Sequence, residues 1–180
     1  MRIFHYQTSA PVIALGLLLL VACDVDVHNK GKDKGVDIRT AVGDFSVRSS
    51  EDGADTGLPV YPGAKPLQEK DNESASANVS ASTSAFGLHV AAAKFQSSDA
   101  PPAIVAFYKD KMSTYGTVIE CNGDVDFDDQ SKQPVCKEDS ASREIQLVAG
   151  TEPSHHLVTV KPRGDGSEFA IVSIQIDERS

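Results

Sequence analysis

The chain lacks an apolar run long enough to cross a bilayer with ease. Its longest, Pro11 to Ala22, falls short of the ~20 residues that a spanning helix needs. Positive charge is also in short supply. Against 26 Asp and Glu stand 17 Lys and Arg over 180 residues, for a net charge of -9. No Lys/Arg stripe offsets that balance, so repulsion from phosphate excludes nucleic acid as a partner. Cysteine is scarce, at three, and no second cysteine pair or nearby His supplies the further ligands of a zinc site. The nucleophile patterns G-x-S-x-G and S-x-x-K are missing. So are the phosphate-cradling G-x-x-x-x-G-K-[ST] and G-x-G-x-x-G. These absences rank binding ahead of catalysis and point to no cofactor.

What is present starts with three N-terminal zones. Arg2 and His5 lie in a short polar start, and no acidic residue precedes Asp24. The apolar stretch that follows has the length of a secretory signal, roughly 7–15 residues behind a positive start. It ends in Leu20-Val21-Ala22-Cys23, which resembles the lipobox of bacterial lipoproteins. That resemblance implies cleavage behind Ala22, a diacylglyceryl thioether on Cys23 and further acylation of its amine, palmitate being typical. One acyl chain binds only marginally, but each buried methylene adds ~0.8 kcal/mol, so two or three chains hold a protein at the surface. The implied location is the cell envelope, with the protein lipid-anchored and facing the periplasm or exterior. Asp24 resembles an inner-membrane retention signal of enteric-type bacteria, a rule that does not extend to all envelopes. Inner and outer membrane both stay open.

Loss of residues 1–22 removes Arg2 and no acidic residue, which takes the net charge from -9 to -10. With Cys23 assigned to lipid, Cys121 and Cys136 remain as a pair in an oxidising compartment. A bridge between them closes a loop of about 15 residues, worth on the order of 3 kcal/mol in the chain-entropy model.

Residues 23–35 are short, charged and glycine-punctuated, and they predict a lipidated flexible tether. Residues 36–57 predict a short β-hairpin around Val42-Gly43-Asp44 and then a linker. The main domain is expected over 58–178. It opens on "LPVYPGAKP", where prolines and a glycine crowd Tyr61 into a rigid turn. Alternation from Ala77 to Thr83 changes phase near Gly87, which predicts a bulge or a turn between two strands. "DAPPAIVAFYKDKMSTYG" predicts the main helix, with Asp99 as N-cap and Pro101 and Pro102 in the first turn. Ile104, Phe107, Tyr108 and Met112 share one face, and Gly116 stops it. Four runs of strand length follow, the last from Phe169 to Ile176. The expected fold is α+β: an antiparallel sheet with one helix packed on one face, preceded by the hairpin and the tether.

"GLPVYPGA" together with "SSDAPPAIVAFYKDKMSTYG" resembles a group of exported bacterial lipoproteins with a YPGA-like turn and a VxxFY-like helix. The resemblance implies an α+β domain and no catalytic residue. Tyr61, Phe107 and Tyr108 match its pattern, and their simplest role is packing.

Two clusters invite a chemical reading. Asp124, Asp126, Asp128 and Asp129 are spaced closely, but the glycine and glutamate of a calcium loop are missing where Asp129 and Val135 stand, so a solvated hairpin tip fits better. His155 and His156 are neighbours in a strand and point to opposite faces, so they do not converge on one metal without a further ligand such as His89. The expected function is a non-enzymatic, membrane-anchored envelope module that holds a protein or ligand. The alternative is an envelope hydrolase or metal-dependent enzyme, which needs a pocket joining His89 to His155 or His156 and to carboxylates.

Overall fold

The computed structural model describes residues 23–30, 33–50, 54–67, 75–138 and 141–178. The chain runs through β1 (Asp24–Lys30), β2 (Asp33–Thr40), β3 (Gly43–Ser50), β4 (Lys65–Pro66), β5 (Ser76–Thr83) and β6 (Phe86–Ser97). Helix α1 (Pro101–Met112) and a 3-10 turn (Ser113–Tyr115) follow. The C-terminal part adds β7 (Ile119–Phe127), β8 (Pro134–Glu138), β9 (Ile145–Thr151), β10 (Ser154–Arg163) and β11 (Gly166–Glu178). All strand pairs are antiparallel, in the order β1-β2-β3-β5-β6-β11-β10-β9-β7-β8, with the two-residue β4 beside β6. Over the described residues the architecture is a single antiparallel sheet with one α-helix. Strand outweighs helix more than the expected α+β class suggests.

The expected tether is the main departure. Asp24–Lys30 is a strand, and Val25 and Val27 stand opposite Ile38 and Val36 of β2. The alternation Asp24-Val25-Asp26-Val27 is a strand pattern, and pairing with a hairpin already in place outweighs the charged, glycine-punctuated composition. The expected β2–β3 hairpin is present, but it turns at residues 41–42, and Gly43 and Asp44 of the expected turn already lie in β3. It is not a separate unit, because β3 pairs with β5 from Gly43↔Thr83 to Ser50↔Ser76. The phase change near Gly87 is a turn: β5 ends at Thr83 and β6 begins at Phe86.

Helix α1 packs on the C-terminal half of the sheet. Ile104, Val105, Tyr108 and Met112 are buried against Ala93, Phe95, Phe169, Ile171, Val158, Val160, Leu147 and Ala149. Successive strand residues alternate faces, so these sheet residues share the helix side. The N-cap is Ala100, one residue beyond the expected Asp99, and no side chain caps the helix. Asp99 is engaged elsewhere: its carboxylate accepts the Tyr61 hydroxyl at 2.6 Å. The "YPGA" segment closes a turn, with the Ala64 amide donating to the Tyr61 carbonyl at 3.0 Å. Gly63 there takes φ +77°, the left-handed value that a type II turn with Pro62 before it requires. Tyr61 meets Phe107 edge to face, Phe107 meets Tyr108, and Phe169 stacks on Phe95. Packing is what these aromatics do.

On the reverse side the N-terminal strands present a different pattern. Val27, Val36, Val47, Val79, Val90 and Ile174 stand side by side across β1, β2, β3, β5, β6 and β11. Their strand neighbours on the helix side are polar, including Asp26, Asp37, Ser46, Asn78 and Ser80.

Strand β7 serves two partners. Ile119 to Asn122 pairs with β9, and Gly123 to Phe127 pairs with β8. The strand bends at Gly123, whose φ of +112° suits glycine alone. A Cys121–Cys136 disulfide ties β8 back across that bend, with the two Cα atoms 5.3 Å apart.

Candidate functional site

A cleft of about 410 Å³ opens on the helix side of the sheet, where the helix no longer covers it. Its floor comes from β3, β5, β6 and β11 and includes Asn78, Ser80, His89 and Ser173. Its rim is the segment around Asp55 and Gly57 together with Tyr115 and His156. Two expected residues, His89 and His156, therefore share one cavity, and Asp55 lies on it too. His155 does not. Its alternation puts it on the reverse face, where its ring lies 4.6 Å from that of Phe127. Nδ1 of His155 faces the carbonyls of Thr151 and Glu152 at 3.2 and 3.1 Å, so it carries the proton.

His156 is 5% exposed and lies under Tyr115, with ring centroids 3.7 Å apart and planes 30° apart. Burial lowers its pKa from the ordinary 6.5, opposed by a hydrogen bond with the Thr56 backbone. The ring is neutral at pH 7. Tyr115 is held by donating to the Gly57 carbonyl at 2.8 Å. Gly57 takes φ +71°, and a Cβ there would meet the Tyr115 hydroxyl at 3.0 Å and His156 Nε2 at 3.2 Å. The rim is a fitted stack of glycine, tyrosine and histidine. Sequence reasoning missed Gly57, Tyr115 and Asp55, because nothing local in "SSEDGADTG" marks it as a rim over strands far along the chain.

Among the described residues Arg48 supplies the one guanidinium on the cleft, and it is already paired. Its Nη2 donates to both oxygens of Asp37, at 3.2 and 3.4 Å. His28 Nε2 lies 3.1 Å from the same carboxylate. Hydrogen bonds from Ser46, then from Arg48 and His28, hold the Asp37 carboxyl below the usual range against the opposing cost of burial. This charge balance leaves hydroxyl, amide and imidazole side chains as the main polar groups of the cleft.

The acidic hairpin is structural. Asp128 accepts the amides of Gln130 and Ser131 and the Ser131 hydroxyl, at 3.2, 2.8 and 2.8 Å. Asp126 pairs with Lys137, and Lys132 pairs with Glu152 at 2.8 Å. The carboxyls of Asp128 and Asp126 titrate below the usual range, Asp128 mainly through the Ser131 bonds and Asp126 through Lys137. Among the described residues no three His, Cys, Asp or Glu side chains converge as a metal ion would need. No described helix is long and apolar enough to cross a membrane. Cys23 is exposed and unpaired.

Fold and cleft define a single-sheet, disulfide-linked β protein with one covering helix and an open polar groove. No family model, curated protein or solved structure matches the chain.

Proposed function

We propose that this protein is a lipid-anchored bacterial envelope lipoprotein, attached through Cys23, that binds a small uncharged ligand in the cleft beside His156. The carrying observation is the cleft's lining. Asn78, Ser80 and Ser173 offer neutral donors and acceptors from β5 and β11, and Arg48 is neutralised by Asp37. A ligand rich in hydroxyls or amides exchanges its water for such groups with little desolvation loss, whereas among the described residues an ion finds no unpaired counter-charge beyond Asp55. The exposed outer side of Tyr115 adds an aromatic platform. Saturation-transfer NMR with a panel of neutral oligosaccharides tests the binding. Transfer that Tyr115→Ala and Asn78→Ala abolish supports it, and no transfer across the panel counts against it. Mass spectrometry of envelope-extracted protein tests the anchor: a chain beginning at acylated Cys23 is expected.

A second reading, an envelope hydrolase, draws on His89, His156 and Asp55 sharing one cavity. Turnover of ester, amide or glycoside reporters that His156→Gln and His89→Gln both abolish would favour it. Binding of uncleaved ligand favours the first.

A further inference from the structure

We infer that the apolar face of the N-terminal strands lies on the lipid surface of the membrane, with the end of the sheet that carries Cys23 seated in it. This rests on the lipid-anchored reading, but it concerns a different surface from the cleft.

The position of Cys23 carries the argument. Asp24 follows it at once and pairs with Arg39, next to the β2–β3 turn. No linker separates an acyl chain on Cys23 from the sheet, so this end of the sheet is held at the bilayer. The same end gathers exposed apolar side chains. Val25 is 57% exposed, Val42 at the β2–β3 turn is 80% exposed, and Phe45 and Phe86 are 41% exposed each. Register makes them neighbours. Val25 stands opposite Ile38, Ile38 opposite Phe45, Phe45 opposite Ala81, Ala81 opposite Leu88, and Leu88 opposite the exposed Ile176. Six strands about 4.8 Å apart make such a row roughly 24 Å wide. Apolar faces of that extent on a soluble surface mark an interaction site.

Charge decides which way the face turns. The chain carries net -9 and anionic headgroups repel it. Alternation sends Asp24, Asp26, Asp37 and Asp44 to the helix side and leaves Val25, Val27, Val36, Ile38, Phe45 and Val47 on the other. Within β1, β2 and β3 the described residues of the second face carry no carboxylate, and at the far edge of the row Glu178, opposite Phe86, is the acidic residue that this end of the face brings. Burying Phe and Val at the interfacial layer then adds to the acyl chains. The cleft opens on the opposite side and so faces the aqueous compartment. A second copy could cover the same side chains, but it would not account for their collection at the Cys23 end.

The chain has no tryptophan, so a single introduced Trp reports its own surroundings. Phe45→Trp, Phe86→Trp and, as a control on the exposed helix surface, Ala106→Trp are made in the full chain and purified from envelopes. Each is placed in phosphatidylcholine vesicles with and without brominated acyl chains. Trp at 45 and at 86 should lose about half its emission to bromine or more, and Trp at 106 should lose little. Two sites keep the test alive should one variant misfold. Unquenched Trp at both 45 and 86, in protein whose Cys23 is acylated by mass, overturns this inference and leaves the anchor standing. Unacylated Cys23 overturns the anchor instead. The face is then read from Cys23→Ser protein in excess vesicles, where quenching at 45 and 86 sustains the inference and its absence ends it. Doubled mass in sedimentation, with blue-shifted but unquenched Trp, assigns the face to a second copy and overturns the inference as well.

Discussion

The hydroxyl of Tyr108 holds the backbone at Tyr61 from the helix side. It accepts the Tyr61 amide at 3.1 Å and donates to the Pro59 carbonyl at 3.2 Å. Tyr108 is fully buried, and that burial pushes its phenol far above the ordinary pKa of 10. One side chain of α1 thereby fixes the turn that leads into β4.

Tyr108→Phe keeps the ring but leaves a backbone donor and a backbone acceptor without their partner. The expected loss is about 1–3 kcal/mol, read as a shift in the urea midpoint at unchanged m-value. Tyr61→Phe loses only an exposed bond to Asp99 and should cost less, about 0.5–1.5 kcal/mol. Equal losses would show that the Tyr108 hydroxyl does not clamp the turn.

Gly57→Ala tests the rim of the cleft. The new methyl meets the Tyr115 hydroxyl and His156 Nε2, at a φ that L side chains rarely adopt. Tyr115 must swing away, breaking its bond to the Gly57 carbonyl. The variant should lose ligand-observed NMR transfer and cost about 1–2 kcal/mol of stability, within the range for a strained left-handed residue. Gly63→Ala has a similar φ but open space around its Cβ. It should lose stability without losing transfer, which separates strain from cleft geometry.

The sheet was largely legible in the sequence, and its joining was not. Alternation in residues 36–48 and from Phe169 to Ile176 announces strands, because half-buried strands must alternate. The helix is legible from Pro101 and Pro102 at its start and Ile104, Tyr108 and Met112 on one face. The strand at Asp24–Lys30 is hidden by polar, glycine-punctuated composition, because its short alternation forms a strand only beside the partner β2 supplies. Of the cleft, His89 and His156 could be named, and the separation of His156 from His155 follows from strand alternation. Gly57 and Tyr115 reach it through tertiary packing, which no local pattern records.

The buried imidazole of His156 sets a pH dependence with a definite sign. Its folded pKa lies below the ~6.5 of an unfolded chain. Below pH ~6.5 the unfolded state therefore binds the proton first, and stability falls as pH drops toward the folded pKa. The effect is absent above pH 7. Asp37, Asp126 and Asp128 have lowered folded pKa values, so their contribution is lost only further down, below the carboxylate range near ~3.9. Urea midpoints between pH 7.5 and 5 should fall in the parent and fall less in His156→Gln. Parallel profiles would show that another group is responsible.

The disulfide gives the last prediction. Cys121 is fully buried in the part of β7 that pairs with β9, whereas Cys136 sits on β8, which pairs only beyond the bend at Gly123. The bond therefore joins the main sheet to a hairpin whose other side-chain ties are exposed: Asp126 to Lys137 within it, and Lys132 to Glu152 of the β9–β10 turn. Exposed ion pairs of that kind contribute at most about 1 kcal/mol each. The sequence separation is 15, and cross-linking a loop of that size stabilises by about 3 kcal/mol. Cys121→Ser should lower stability by about 2–4 kcal/mol while far-ultraviolet circular dichroism keeps its strand signal. Reducing the parent protein should reproduce most of that loss, since it removes the same cross-link without adding a buried hydroxyl. Hydrogen exchange should then show faster opening in β8 than in β9 and β10. A reduced parent as stable as the oxidised one, with β8 amides equally protected, would show that the hairpin needs no such bond.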